Sequence, residues 1–69
     1  MAERDSATVE IGDEIVLEIE DLGDGGDGIG RQKGFVVMVP GTKPGQRVRA
    51  EVQRVEDDFA VAEKLDADP

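Results

Sequence analysis

The chain has 69 residues, 38% of them apolar and 36% charged, which is room for one small domain. It contains neither cysteine nor histidine, which removes disulfides, a Ser-His-Asp triad, a cysteine nucleophile and the usual zinc and copper sites. Seventeen acidic residues against eight basic ones leave a net charge of −9, a density that repels itself in dilute buffer and is tolerated in concentrated salt, where the screening length falls to about 3 Å at 1 M.

Residues 1–8 are polar and aperiodic and are expected to form a flexible tail, with the folded domain over residues 9–65 and a second flexible tail over 66–69. No apolar run reaches the length of a membrane helix and no signal peptide is legible, so the expectation is a soluble, cytoplasmic protein that needs no cofactor. Ile15, Leu17 and Ile19 alternate with Val16, Glu18 and Glu20, the period of a half-buried strand. Gly23 to Gly30 holds five glycines in eight positions and reads as a loop or bulged strand. Residues 29–40 read as extended, with Phe35, Val37 and Val39 on one face and Val36 and Met38 on the other. Pro40-Gly41 stops that run, and Pro44-Gly45 suits the central positions of a type II turn. Val48, Ala50 and Val52 alternate with Arg49, Glu51 and Gln53, and Glu56-Asp57-Asp58 reads as a polar hairpin connection. Asp58 to Leu65 would suit a helix by its alanines, but Phe59 and Val61 alternate with them, so it is read as the strand that closes the sheet.

An internal echo runs through this order. Gly12 to Leu22 aligns with Gly45 to Val55, sharing the glycine, apolar residues at +3, +5, +7 and +10, and a Glu at +6. In both copies alternation skips after +7, as a β-bulge would make it do. Two similarly bent strands of a small barrel are therefore expected, the first with Glu14, Glu18 and Glu20 outward and the second with Arg47 and Arg49.

Charge is unevenly placed. Residues 1–30 carry ten acids and one base, whereas residues 31–54 carry six bases (Arg31, Lys33, Lys43, Arg47, Arg49, Arg54) and one acid. This basic island either binds an anionic ligand or neutralises neighbouring acidic strands. Gly23 to Gly28 satisfies G-x-G-x-x-G, but no helix opens after it and its two aspartates would repel a phosphate. Asp21, Asp24 and Asp27 fail the order of a calcium loop, so no metal site is expected. Carboxylate pairs for hydrolysis would need an enclosed pocket that so small a barrel hardly provides, so the chain is not expected to be an enzyme. What remains is Arg31 and Lys33 just before Phe35. That is cationic and aromatic chemistry for single-stranded nucleic acid, in a stretch where Phe35 would equally serve as core.

The runs Gly26-Asp27-Gly28-Ile29-Gly30-Arg31, Gly34 to Thr42, Pro44 to Val48 and Phe59 to Glu63 together resemble the TRAM domain over about residues 9–65. The resemblance implies an all-β, five-stranded, OB-like β-barrel that binds RNA without catalysis. TRAM domains occur within tRNA- and rRNA-modifying enzymes and as small free-standing archaeal proteins similar in role to cold-shock RNA chaperones. An archaeal protein of this acidity would fit a halophile. Carried over residue by residue, the resemblance points to Arg31, to Phe35 after the tight Gly34, to the strand around Met38 and to the Lys43 to Arg47 connection; Lys33 and Arg49 of the basic island complete the residues expected to contact RNA. Gly28, Gly30 and Gly34 would let the backbone approach the ligand closely. The family often has Phe where Met38 stands, and Met lacks a flat π face. The implied partner is unpaired RNA (tRNA, rRNA or mRNA), with no membrane. The alternative is an interaction module whose acidic face, Glu14, Glu18 and Glu20, docks a ribosomal or RNA-modification protein, and a third reading is duplex or DNA binding through phosphates alone.

Overall fold

The alternating runs fold as strands whose apolar sides meet inside a closed barrel. The computed structural model describes residues 9–68, with side chains through residue 67, so the expected tail at 1–8 lies outside the described residues. The strands are β1 (Glu14–Leu22), β2 (Gly28–Gln32), β3 (Phe35–Val39), β4 (Arg47–Val55) and β5 (Phe59–Asp68). Their order around the barrel is β1-β2-β3-β5-β4, with β4 returning to β1. Every pairing is antiparallel except β3 with β5. Closure gives every strand a neighbour on both sides. The all-β expectation holds.

The interior is filled by Ile15, Leu17 and Ile19 of β1, Val37 and Val39 of β3, Val48, Ala50 and Val52 of β4, and Ala60 and Ala62 of β5, with Val9 buried ahead of β1. From β2 only Gly28 and Gly30 lie on this buried side. A Cβ on Gly30 would stand 2.8 Å from the Glu18 carbonyl oxygen, and one on Gly28 would collide with the Thr42 hydroxyl. Thr42 is 2% exposed, and its hydroxyl donates to the Val39 carbonyl at 2.7 Å, so this buried polar group is satisfied.

Two expectations are revised. Residues 29–40 are not one extended run: β2 and β3 are separated by Lys33-Gly34, with φ of 53° and 85°. Positive φ at both central residues gives the tight hairpin turn that matches strand twist. At the other end, residues 66–68 are not a tail. Asp66, Ala67 and Asp68 pair with Arg49, Val48 and Arg47 of β4, because Ala67 packs on the core and Asp66 meets Arg49 at 2.8 Å.

The echo is real in three dimensions. Adding 33 to a residue number carries β1 onto β4. The Gly12 amide donates to the Val52 carbonyl and the Gly45 amide to the Ile19 carbonyl, both at 2.8 Å. Likewise the Val52 amide donates to Asp13 and the Ile19 amide to Gln46, both at 2.8 Å. The register Glu14↔Glu51, Ile15↔Ala50 maps onto Arg47↔Glu18, Val48↔Leu17, leaving Val16↔Arg49 on a local two-fold axis. Both strands then bulge at the expected place, between Ile19 and Asp21 in β1 and between Val52 and Arg54 in β4.

Candidate nucleic-acid interface

Strand register decides which outward side chains stand beside one another. Across β2, β3 and β5 one row is Arg31, Val36, Phe59 and the next is Ile29, Met38, Val61. The five apolar members are all half-buried, and Arg31 is exposed at the end of its row. The result is an apolar strip on the outside of the barrel, a surface of the kind that marks a binding site when it is contiguous. It lies on the face that OB-folds use for oligonucleotides.

Phe35 stands on the inward side of β3, sharing its face with Val37 and Val39, but at the end of the barrel. It packs against the core and is half-buried, so part of its ring remains open. Met38 lies within the outward strip. Lys33 projects from the β2–β3 turn beside the Gln32↔Phe35 pair. Phe59 was read as a strand residue and was not among those expected to contact RNA. Its signal was parity: Ala60 and Ala62 are fully buried, which turns Phe59 and Val61 outward.

The basic island divides in two. Arg49 reaches Asp66 at 2.8 Å and Glu14 at 3.6 Å, and Arg54 reaches Glu56 at 2.8 Å, so these two neutralise local carboxylates. Among the described residues no ion pair involves Arg31, Lys33, Lys43 or Arg47, and all four are exposed. Arg47 lies opposite Glu18 on β1, and Gly30 abuts the Glu18 backbone, so Arg31 and Arg47 flank the same stretch of β1 from either side. Lys43 opens a turn closed by the Gln46 amide donating to the Lys43 carbonyl at 3.1 Å. The Gln46 side chain also accepts from the Lys43 amide at 2.9 Å, and Gly45 has the φ of 93° expected at the third position of a type II turn.

The glycines serve the barrel itself. Gly28 and Gly30 are buried, approached by Thr42 and by the β1 backbone, while Gly34 is exposed and supplies the positive φ of the hairpin turn. The loops at either side of the strip are acidic, with Asp24 and Asp27 before β2 and Glu56, Asp57 and Asp58 before β5. Among the described residues no group of three or more Asp or Glu is arranged to hold a metal ion, and no helix is long and apolar enough to cross a membrane.

The profile of the TRAM domain matches residues 8–65. The chain belongs to the TRAM domain family. An uncharacterised protein of Methanocaldococcus jannaschii is 45% identical over 62 residues, covering 90% of this chain and 80% of that one. The solution structure of a conserved protein of Methanococcus maripaludis superposes with a TM-score of 0.78 at 43% identity, covering 94% of this chain and 99% of that one. Translation initiation factor 2 subunit beta of Thermoplasma acidophilum is 36% identical over 63 residues, and the matched part is 30% of its length. Ribosomal RNA large subunit methyltransferase E of Natronomonas pharaonis is 38% identical over 61 residues, and the matched part is 24% of its length. The present TRAM domain thus spans a quarter to a third of these two relatives.

Proposed function

We propose that this TRAM domain is a non-catalytic, cytoplasmic RNA-binding protein that holds unpaired RNA against the outer face of β2, β3 and β5. The observation that carries the reading is the register-aligned strip of Ile29, Val36, Met38, Phe59 and Val61 ending in Arg31, which has no ion pair among the described residues. A relative that methylates ribosomal RNA and another that acts in translation initiation support it. Bases would lie on the apolar strip and on the open part of Phe35, each stacked base contributing about 1–3 kcal/mol. Arg31 would stack through its guanidinium plane or pair with a phosphate, and Lys33, Lys43 and Arg47 would meet phosphates as charges. Arg49 would stay with its carboxylates. The acidic loops disfavour a phosphate track across the strip, so base contacts rather than bulk charge would supply most of the affinity. A domain of this kind binds exposed segments, releases them without ATP, and so acts as an RNA chaperone.

The test is titration of a labelled single-stranded RNA with wild type and Arg31→Ala from dilute to molar KCl, with circular dichroism reporting the fold. With Arg31, Lys33, Lys43 and Arg47 as the phosphate contacts, the slope of log K against log salt is expected to be no steeper than about −3, at about −0.7 per phosphate contact on single strands. Arg31→Ala is expected to weaken binding at every salt concentration. A folded protein that ignores single strands, or that binds duplex equally well, overturns the reading. The first result would favour protein docking through the acidic face instead.

A further inference from the structure

Beside the strip lies a groove of about 290 Å³ lined by Pro40, Gln53, Val61, Ala62, Glu63 and Lys64. Two features of the fold create it. Gln53 is the residue that the β4 bulge leaves without a β5 partner, so the sheet opens there. Pro40 ends β3 at the same level, one residue past Val39, and closes the opposite side. Val61 belongs both to the groove and to the row Ile29, Met38, Val61, so groove and strip are continuous. The volume lies at the small end of ligand sites, which begin at about 300 Å³, and suits one planar group rather than a chain.

Its polar groups are specific. The Glu63 carboxylate only accepts, and the Gln53 amide both donates and accepts. Gln53 Nε2 reaches Glu63 Oε1 at 3.5 Å, a long contact that leaves most of the carboxylate's acceptor capacity unused. Glu63 also faces Glu51, which faces Glu14, so a ligand that brings donors to this row relieves like-charge repulsion. Of the four RNA bases, guanine alone presents two adjacent donors, N1–H and the N2 amino group, together with two adjacent acceptors, O6 and N7. Adenine would turn its N1 lone pair toward the carboxylate, while uracil and cytosine offer it one donor group each.

We infer that this groove is a guanine subsite, resting on the RNA-binding reading above. It takes one unstacked guanine from the strand on the strip. Glu63 accepts from N1–H and the N2 amino group, Gln53 donates to O6, and the ring lies against Val61 and Pro40. The subsite would give a sequence preference to a face that is otherwise indifferent to sequence.

The experiment compares oligouridine strands carrying one central guanosine, inosine, adenosine or uridine, in fluorescence titrations at fixed KCl. The guanosine strand is expected to bind on the order of tenfold tighter than the uridine strand, with inosine in between because it lacks the N2 amino group. Glu63→Gln is expected to bring the guanosine strand down to the affinity of the uridine strand, and Glu63 is exposed, so folding is not at stake. Arg31→Ala should weaken all four strands and keep their order. Equal binding of the four strands by wild type overturns the subsite and leaves the RNA reading intact. If no strand binds, the RNA reading fails by itself, and the groove is decided by guanosine monophosphate. Backbone NMR shifts at Gln53 and residues 61–64 with this nucleotide, and none with adenosine monophosphate, keep it; their absence removes it.

Discussion

Lys33 is the only non-glycine residue with positive φ among the described residues. A side chain in this left-handed region costs about 1–2 kcal/mol, and asparagine tolerates it far better. In the turn it occupies, Asn-Gly is the preferred pair. Local chemistry therefore favours asparagine at this position, and a lysine held there despite the strain is a candidate for function. Lys33→Asn is expected to stabilise the barrel by about 0.5–1 kcal/mol in urea unfolding. The same variant is expected to weaken RNA binding a few-fold and to flatten its salt slope by about 0.7, the loss of one phosphate contact. Gain of stability with unchanged RNA affinity would make Lys33 a neutral turn residue and remove it from the interface.

At the scale of elements, the two aromatic rings should separate two roles. Phe35 has inward parity on β3 and packs on the core, whereas Phe59 has outward parity at the start of β5. Phe59→Ala is expected to lower RNA affinity by about 1–3 kcal/mol, one base stack, with a small effect on unfolding. Phe35→Ala is expected to lower both, with the larger loss in stability, since a truncated core aromatic costs up to about 3–5 kcal/mol and Phe35 is only half-buried. Equal stability losses in the two variants would deny Phe59 its outward role. The same parity explains what could be read in advance. Alternation at Ile15, Leu17 and Ile19 and at Val48, Ala50 and Val52 named the interior, and the skipped beat after Ile19 and Val52 located both bulges. The Lys33-Gly34 turn was hidden because Lys is not a turn-former and Gln32 and Phe35 continue an extended pattern across it. Asp66 to Asp68 looked like a tail because their pairing depends on β4 residues such as Arg49, 17 positions from Asp66, which no local pattern reports. The strip itself needed register: nothing in one strand says that Arg31, Val36 and Phe59 share a row.

For the whole molecule, charge and fold pull against each other. Glu14, Glu51 and Glu63 lie opposite one another across β1, β4 and β5. Like charges so placed destabilise a sheet. Arg49 relieves Glu14 at 3.6 Å and Gln53 touches Glu63 at 3.5 Å, but among the described residues no ion pair reaches the central Glu51. Added salt shortens the screening length from about 10 Å at 0.1 M to about 3 Å at 1 M, which weakens both this row and the general repulsion of a chain at −9. Stability against urea should therefore rise with KCl. Glu51→Gln keeps the shape and removes the central charge, so it is expected to stabilise the barrel by about 0.5–1 kcal/mol in dilute buffer. In molar KCl the gain should nearly vanish. A gain of the same size at both salt concentrations would trace it to packing or hydrogen bonding rather than to charge. A loss at low salt would mean that Glu51 has a cationic partner in solution. The screening that relieves the row also shields RNA phosphates from the acidic loops, while stacking on the strip is insensitive to it. Folding and binding would respond to salt in opposite senses: stability rises with KCl while the phosphate contacts weaken, and the base stacks supply the affinity that persists in molar salt.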